Sequence, residues 1–457
     1  MSQKPLALRL SLFLLRWVFR LTMLFLFLLA GMILFLFRDA IHDRYVLFPK
    51  QVVAWEELRK QRQEVTLDDG FTDVKGVCHS HSRFSHDSEM PFEKILEAAK
   101  KANIRFLFMS DHVINTKADF SWQWRGEHDG VFFFPGFEMG GGFLVWGLPQ
   151  DTVLDDKIDK RLLAKMIDEK GGMVFFAHSE RLEWFWDIPQ LRGMEIYNIH
   201  TDFLDEKYIE VLPGMMLNTG KYPDQTIRKI FDRHDDILAR WDEMNKTRKI
   251  VGMCSVDAHK NVGVRLVCDA EDQLVIRDTS PSLDNSKNVN WLPRWLLRPF
   301  FGDIAPGKTL FQVDWDPYER SLRYDNNHLL VKDVNEATLM EALREGRNFV
   351  AFDMLADATG FTFLAESGGR SAVLGDAIPF VAGAKLRIAS PLPGRVTVMR
   401  DGVQVHQSEG RTFEVAADAP GKYRVEFDVR LMDEWTPWVY TNPINLYAET
   451  PPPAPAG

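Results

Sequence analysis

Residues 74–88 read VKGVCHSHSRFSHDS: a short apolar run, then His79, Ser80 and His81, then His86 and Asp87. The run has the length and side chains of a buried strand, and the imidazoles arrive where it ends. The arrangement recurs downstream. Residues 104–109 (IRFLFM) end at Ser110, Asp111 and His112, and 131–134 (VFFF) lead through PGF to Glu138. Residues 173–177 (MVFFA) deliver His178, and 250–255 (IVGMCS) deliver Asp257 and His259. Residues 194–197 (MEIY) are a further run of this kind. Helix-like segments lie between the runs. Ser88 starts one, with Pro91 in its first turn and Phe92, Ile95, Leu96 and Ala99 on one face. Residues 157–170 form another, stopped by Gly171 and Gly172. This alternation predicts an α/β domain of parallel strands with crossover helices.

In such folds the carboxyl ends of the strands share one mouth, so separate segments can build one site. Imidazoles and carboxylates are the ligands that zinc, manganese or iron require, and one carboxylate can bridge two ions. Any single histidine of the chain's 12 could be an ordinary core residue. Placement argues otherwise, because each candidate directly follows a strand-like run, and only His328 and His406 lie beyond His259. His86, His128, His200 and His234 read as solvent or packing residues.

The ordered segments HSHSRFSHDS, FLFMSDH, FFFPGFE, VFFAHSE and CSVDAH resemble the successive motifs of the PHP (polymerase and histidinol phosphatase) superfamily. The resemblance covers about residues 72–262. Two later stretches, 337–353 and 437–444 (PWVYTNPI), resemble the carbaryl-hydrolase-like (CehA/McbA-type) branch. The resemblance implies a distorted (β/α)7 barrel followed by a small β-domain, two or three divalent ions (Zn, Mn or Fe), and hydrolysis of phosphoester, amide or carbamate bonds. By motif, His79, His81 and Asp257 are similar to ligands of a first ion, with Glu138 bridging to a second that His178 also serves. Asp87, His112 and His259 would hold a third ion or position substrate. Glu138, Asp257 and His112 are the implied catalytic residues. Many members carry a histidine shortly after the bridging glutamate, whereas residues 139–145 here read MGGGFLV. That implies a second site short of a ligand.

Upstream of this domain, residues 21–37 (LTMLFLFLLAGMILFLF) carry no charge, enough for a membrane-spanning helix. Lys4, Arg9, Arg16 and Arg20 precede the run, while Arg38, Asp39, Asp43 and Arg44 follow it with no net charge. The positive-inside bias predicts a single-pass signal anchor over 1–45 with the rest extracytoplasmic, periplasmic or extracellular. A cleaved signal peptide is the rival, but the run is long for one and no small-x-small cleavage site stands before the charges.

Only about thirty residues separate this exit from the first strand, at most ~100 Å when fully extended. A small-molecule or lipid- or glycan-linked substrate near the membrane is therefore expected. Trp122, Trp124, Trp184, Phe185 and Trp186 flank the metal motifs and read equally as pocket lining or packing.

After the metal domain (46–355), residues 356–450 show short strands at sandwich-like spacing, with Asp401–Gly402 as a hairpin turn, then a disordered tail over 451–457. Residues 260–330 fit neither pattern and read as an insertion. Within it, 291–301 (WLPRWLLRPFF) is either a surface loop or a contact with the membrane interface. A net charge of −10 without a Lys/Arg block argues against nucleic acid as a partner. Three cysteines cannot form a disulfide framework, and Cys78 and Cys254 read as buried thiols. P-loop, GxSxG and GxGxxG signatures are all lacking. The alternative to a hydrolase is a membrane-tethered binding module that recognises an anionic or glycan ligand with a degenerate site.

Overall fold

The computed structural model describes residues 6–65, 67–180, 186–280 and 286–448. Trp184, Phe185 and the expected tail over 451–457 lie outside these. The chain is a mixed α/β protein that divides into two compact units.

The first unit combines Met1–Val53 with Asp205–Phe231. Its helix Leu6–His42 is about 55 Å long at roughly 1.5 Å per residue. It is long and apolar enough to cross a membrane, and its side chains from Phe13 to Leu36 stand exposed. Exposure ends at Ala40, Asp43 and Phe48, which are buried. Asn218 Nδ2–H donates to Ala40 O at 3.0 Å, Arg44 to Leu217 O at 2.6 Å, and Lys229 pairs with Asp43 at 2.7 Å. Residues 205–231 thus group with the apolar helix rather than with the metal motifs that precede and follow them. The sequence gives no sign of this, because the helix Tyr208–Asn218 looks like any other apolar helix.

In the second unit, Thr72–Ser80, Phe106–Met109 and Val131–Phe134 pair in parallel, and so do Met173–Phe176, Leu191–Asn198 and Val251–Ser255. Phe106–Met109 and Val131–Phe134 are buried at every position, as parallel strands covered on both faces must be. Aromatic rings fill the space between: Phe108 stacks on Phe134 at 4.2 Å, and Trp146 donates its indole N–H to Met109 O at 2.6 Å. Helix Phe92–Lys101 covers the sheet with Phe92, Ile95, Ala98 and Ala99. Helix Lys160–Glu169 starts at Asp159, whose carboxylate accepts the Arg161 and Leu162 N–H groups.

The expectation of purely parallel strands needs correcting. Phe143–Trp146 runs antiparallel to Met173–Phe176, and Asn326–Val331 antiparallel to Thr72–Ser80. The first is a hairpin partner of Gly136–Met139, made possible by the left-handed Gly140 and Gly141 between them. Asn326–Val331 also shortens the expected insertion. Within it, Gly263–Cys268, Leu274–Asp278, Lys287–Asn288 and Thr309–Asp314 form a separate antiparallel sheet, with helix Arg294–Phe301 packed against it.

Beyond residue 355 the strands on either side of residues 401–402 are longer than the sequence suggests. Lys385–Arg400 and Val403–Ala416 are two strands rather than four, because a register shift between Ala389 and Gly394 absorbs Pro391 and Pro393 without ending the ladder. Asp401 and Gly402, both at positive φ, make the expected hairpin turn. Glu434–Thr441 pairs with Asn348–Ala351, so one sheet runs across residue 355. All three cysteines are free and buried.

Candidate metal centre

His79, His112, Glu138, His178 and Asp257 all sit at or just past the carboxyl ends of parallel-paired strands, where side chains leave the sheet toward a common space. Three of them, His79 (φ 63°), His178 (φ 50°) and Asp257 (φ 44°), hold the left-handed conformation, which costs a side-chain-bearing residue roughly 1–3 kcal/mol. That strain turns each side chain inward at the end of its strand.

The eight predicted ligands come together in three overlapping groups. Asp257 Oδ1 lies 3.0 Å from His79 Nε2 and 3.1 Å from His81 Nε2, while its Oδ2 lies 3.6 Å from His178 Nε2. Glu138 reaches His79 at 3.2 Å and His81 at 3.9 Å through Oε2, and His178 at 3.6 Å through Oε1. In the third group Asp87 Oδ2 stands 3.1 Å from His259 and 3.4 Å from His112. The His81 and His259 rings stack at 3.8 Å.

Two atoms each about 2.1 Å from a common ion lie roughly 3–4 Å apart, and these spacings match. His81 Nε2 is buried without a hydrogen bond although it faces two carboxylates. Burial, together with the charges of His259 and His112, holds His81 well below the usual imidazole range, so it stays neutral, the form that binds metal. Burial opposes the charged forms of His79 and His259 as well. The surrounding carboxylates nevertheless pull positive charge onto them, His79 well above its ordinary value and His259 up to about 9. Burial also opposes ionised Glu138 and Asp87, yet the imidazoles around them keep both far below the carboxylate range. The site therefore demands cations, and its donor set fits divalent ions.

Sequence reading missed the residues that hold these ligands in place. Glu195, buried in Leu191–Asn198, accepts from His79 Nδ1 at 2.6 Å through Oε1. Its Oε2 accepts the His178 backbone N–H at 2.6 Å and Asn198 Nδ2–H at 2.9 Å. The only signal was a carboxylate inside the apolar run MEIY. Asp111 accepts Ser82 N–H at 2.5 Å and Gln123 Nε2–H at 2.6 Å; burial raises its carboxyl to about 6. Gln123 also brackets Gly136, two residues before Glu138.

Glu195→Gln keeps the shape but turns an acceptor toward an imidazole N–H into an amide. It is expected to weaken metal affinity about 10–100-fold, read by competition with a chelator, without loss of fold.

Of the histidines set aside, His128 stacks on Trp124 at 4.3 Å and His234 pairs with Asp202, both as packing partners. His86 is exposed at the rim, its ring 4.8 Å from that of His112, and the side chain of His200 lies outside those described. Trp124 is committed to packing on Phe92 and Phe133, and Trp186 to Phe176. Trp122 stays 43% exposed beside Phe84, on the loop that follows His81. The stretch 139–145 forms the turn and one arm of a hairpin.

No family model and no curated protein matches the chain. Among solved structures it is similar to a two-domain protein from Bacteroides vulgatus containing a predicted PHP-like metal-dependent phosphoesterase. The two are 14% identical, with 84% of this chain and 98% of that one covered, at a TM-score of 0.37. A likeness that distant transfers neither fold nor function.

Proposed function

We propose that this chain is a membrane-anchored, divalent-metal-dependent hydrolase of the PHP superfamily, in its carbaryl-hydrolase-like branch, with phosphoesters as its substrate class. The observation that carries the reading is the sharing of side chains: His79 and His81 each belong to two of the three groups, and Glu138 and Asp257 each lie within 3.9 Å of His79, His81 and His178. The order of the motifs along the chain supports it further.

Ions held there would lower the pKa of water and neutralise charge on the scissile group. The protein's own contribution is positional. Glu138 and Asp257 fix the spacing of the imidazoles, and Glu195 sets which His79 nitrogen faces the site. His112, the most exposed of the five clustered imidazoles with 26% of its side chain open to solvent, is raised above its ordinary value by Asp87 and Glu138 against the opposing pull of burial. It is placed to give a proton from its ring nitrogen to a leaving group. The helix Leu6–His42 would hold the enzyme in the membrane as a single-pass anchor, with the catalytic unit extracytoplasmic.

The test is metal analysis of the purified full chain in detergent, alongside hydrolysis of a phosphodiester, a phosphomonoester, an aryl ester and a carbamate. Bound transition metal with phosphoester turnover is expected. Absence of metal from the wild type would end the proposal. Metal and ligand binding without turnover of any substrate would make the chain a tethered binding module instead.

A further inference from the structure

The sheet over Gly263–Asp314 carries helix Arg294–Phe301, and the two sides of that helix differ. Leu297 and Phe301, one turn apart, join Leu292 against Leu266, Cys268 and Leu274 in a small core. The other side, at Trp295, Leu296, Pro299 and Phe300, is exposed among the described residues. Phe300 is 78% exposed and Trp291, just before the helix, 77%. Both exceed even Phe27 of the spanning helix at 75%, and Trp295 stands at 72%. On the sheet itself, Ile276 and Phe311, which pair with Leu266 in register, are also exposed. A soluble surface rarely carries so many large apolar side chains together without a partner.

Charge identifies the partner. In a chain of net charge −10, residues 286–301 hold Lys287, Arg294 and Arg298 and not one carboxylate. Arg294 is engaged by Asp272 at 2.9 Å, while Lys287 and Arg298 are exposed at the edge of the aromatic face. Aromatic and leucine side chains flanked by cations match the boundary of an anionic bilayer, where rings enter the acyl edge and guanidinium groups meet phosphates. The same chain carries a helix fit to span that bilayer. We infer that the face built by Trp291, Trp295, Leu296 and Phe300 docks on the surface of an anionic membrane, giving the second unit a membrane contact of its own, separate from the N-terminal helix.

The experiment labels Pro299→Cys, which sits amid the aromatic face and leaves every ring in place, with an environment-sensitive fluorophore. The native cysteines are buried, so the label is selective. Val403→Cys, 65% exposed on another strand, is the control. The full chain is reconstituted in vesicles of phosphatidylcholine and phosphatidylglycerol containing spin-labelled lipid. Insertion of about 5–10 Å predicts quenching at 299 roughly twofold or more above that at 403, lost when Trp295→Ala and Phe300→Ala are combined. It should also fall in Lys287→Glu with Arg298→Glu. Flotation of the labelled chain with the vesicles reports the anchor separately. Flotation with equal quenching at 299 and 403 overturns the inference and leaves the anchor standing. A label shielded from soluble iodide yet untouched by spin-labelled lipid also overturns it, and points to a protein contact. A chain that does not float refutes both.

Discussion

Asp257→Asn is expected to empty the metal centre and abolish hydrolysis while leaving the fold intact. The carboxylate lies within 3.0–3.6 Å of His79, His81 and His178 and links all three. An amide of the same shape keeps the volume and loses the charge and one acceptor. Outer-shell changes around metals cost roughly 10–100-fold, so loss of a carboxylate shared by three imidazoles should cost more than that in both metal content and turnover. Element analysis and phosphodiesterase assays of the detergent-solubilised chain, beside far-UV circular dichroism, read the result. Wild-type metal stoichiometry and rate in Asp257→Asn would remove this residue from the centre. Glu195→Gln, which reaches the site through His79 and His178, should fall between that variant and the wild type.

The second large effect lies away from the metal centre. His328, fully buried on Asn326–Val331, bonds Asp73 at 2.8 Å and Asp353 at 3.1 Å, and its ring stacks on Phe349 at 4.4 Å. Lys75, paired with His328 in the register of the two strands, reaches Asp353 and Asp357 at 3.2 Å each. Three carboxylates thus share two cations, and each carboxylate has a cationic side chain within 3.2 Å, which makes the cluster a structural one. His328→Ala would leave Asp73 and Asp353 buried beside a single ammonium and is expected to lower stability by about 3–5 kcal/mol in chemical denaturation.

The pH dependence has a definite sign. Burial opposes a charged His328, but Asp73 and Asp353 lift it on balance to about 10. A raised imidazole contributes stability that is complete below its unfolded value of about 6.5 and fades as pH climbs through about 10. Wild-type stability should therefore decline across that alkaline window, and His328→Gln should flatten the decline. A profile unchanged by the substitution would mean that the ion pairs contribute nothing.

Much of the centre was legible because its ligands are local in sequence. HSH, SDH, FE, HS and DAH each follow an apolar run, and a run of that length must be a strand whose end points away from the core. The residues that hold the ligands were not legible. Glu195 lies within a strand, where a carboxylate has no business unless a partner from a distant segment satisfies it, and that partner, His79, is 116 residues away. Asp111 was visible as part of a motif, but its grip on Ser82 and Gln123 depends on how two loops fold over it. The insertion was placed too wide for a similar reason. Asn326–Val331 has no local mark of belonging to the sheet, and becomes a strand because Thr72–Ser80 offers it an antiparallel edge.

The sequence by itself determined the apolar N-terminal helix, the alternation of strand and helix, and the eight imidazoles and carboxylates that cluster. Each follows from periodicity, composition or adjacency, which act over a few residues and need no partner. Tertiary structure alone decided the rest. It grouped Asp205–Phe231 with the N-terminal helix, ran one sheet across residue 355, and matched His328 and Lys75 to three carboxylates from separate segments. Hydrogen-bonded edges and buried charges must find their complements wherever the chain brings them, and no short window of sequence records where that will be.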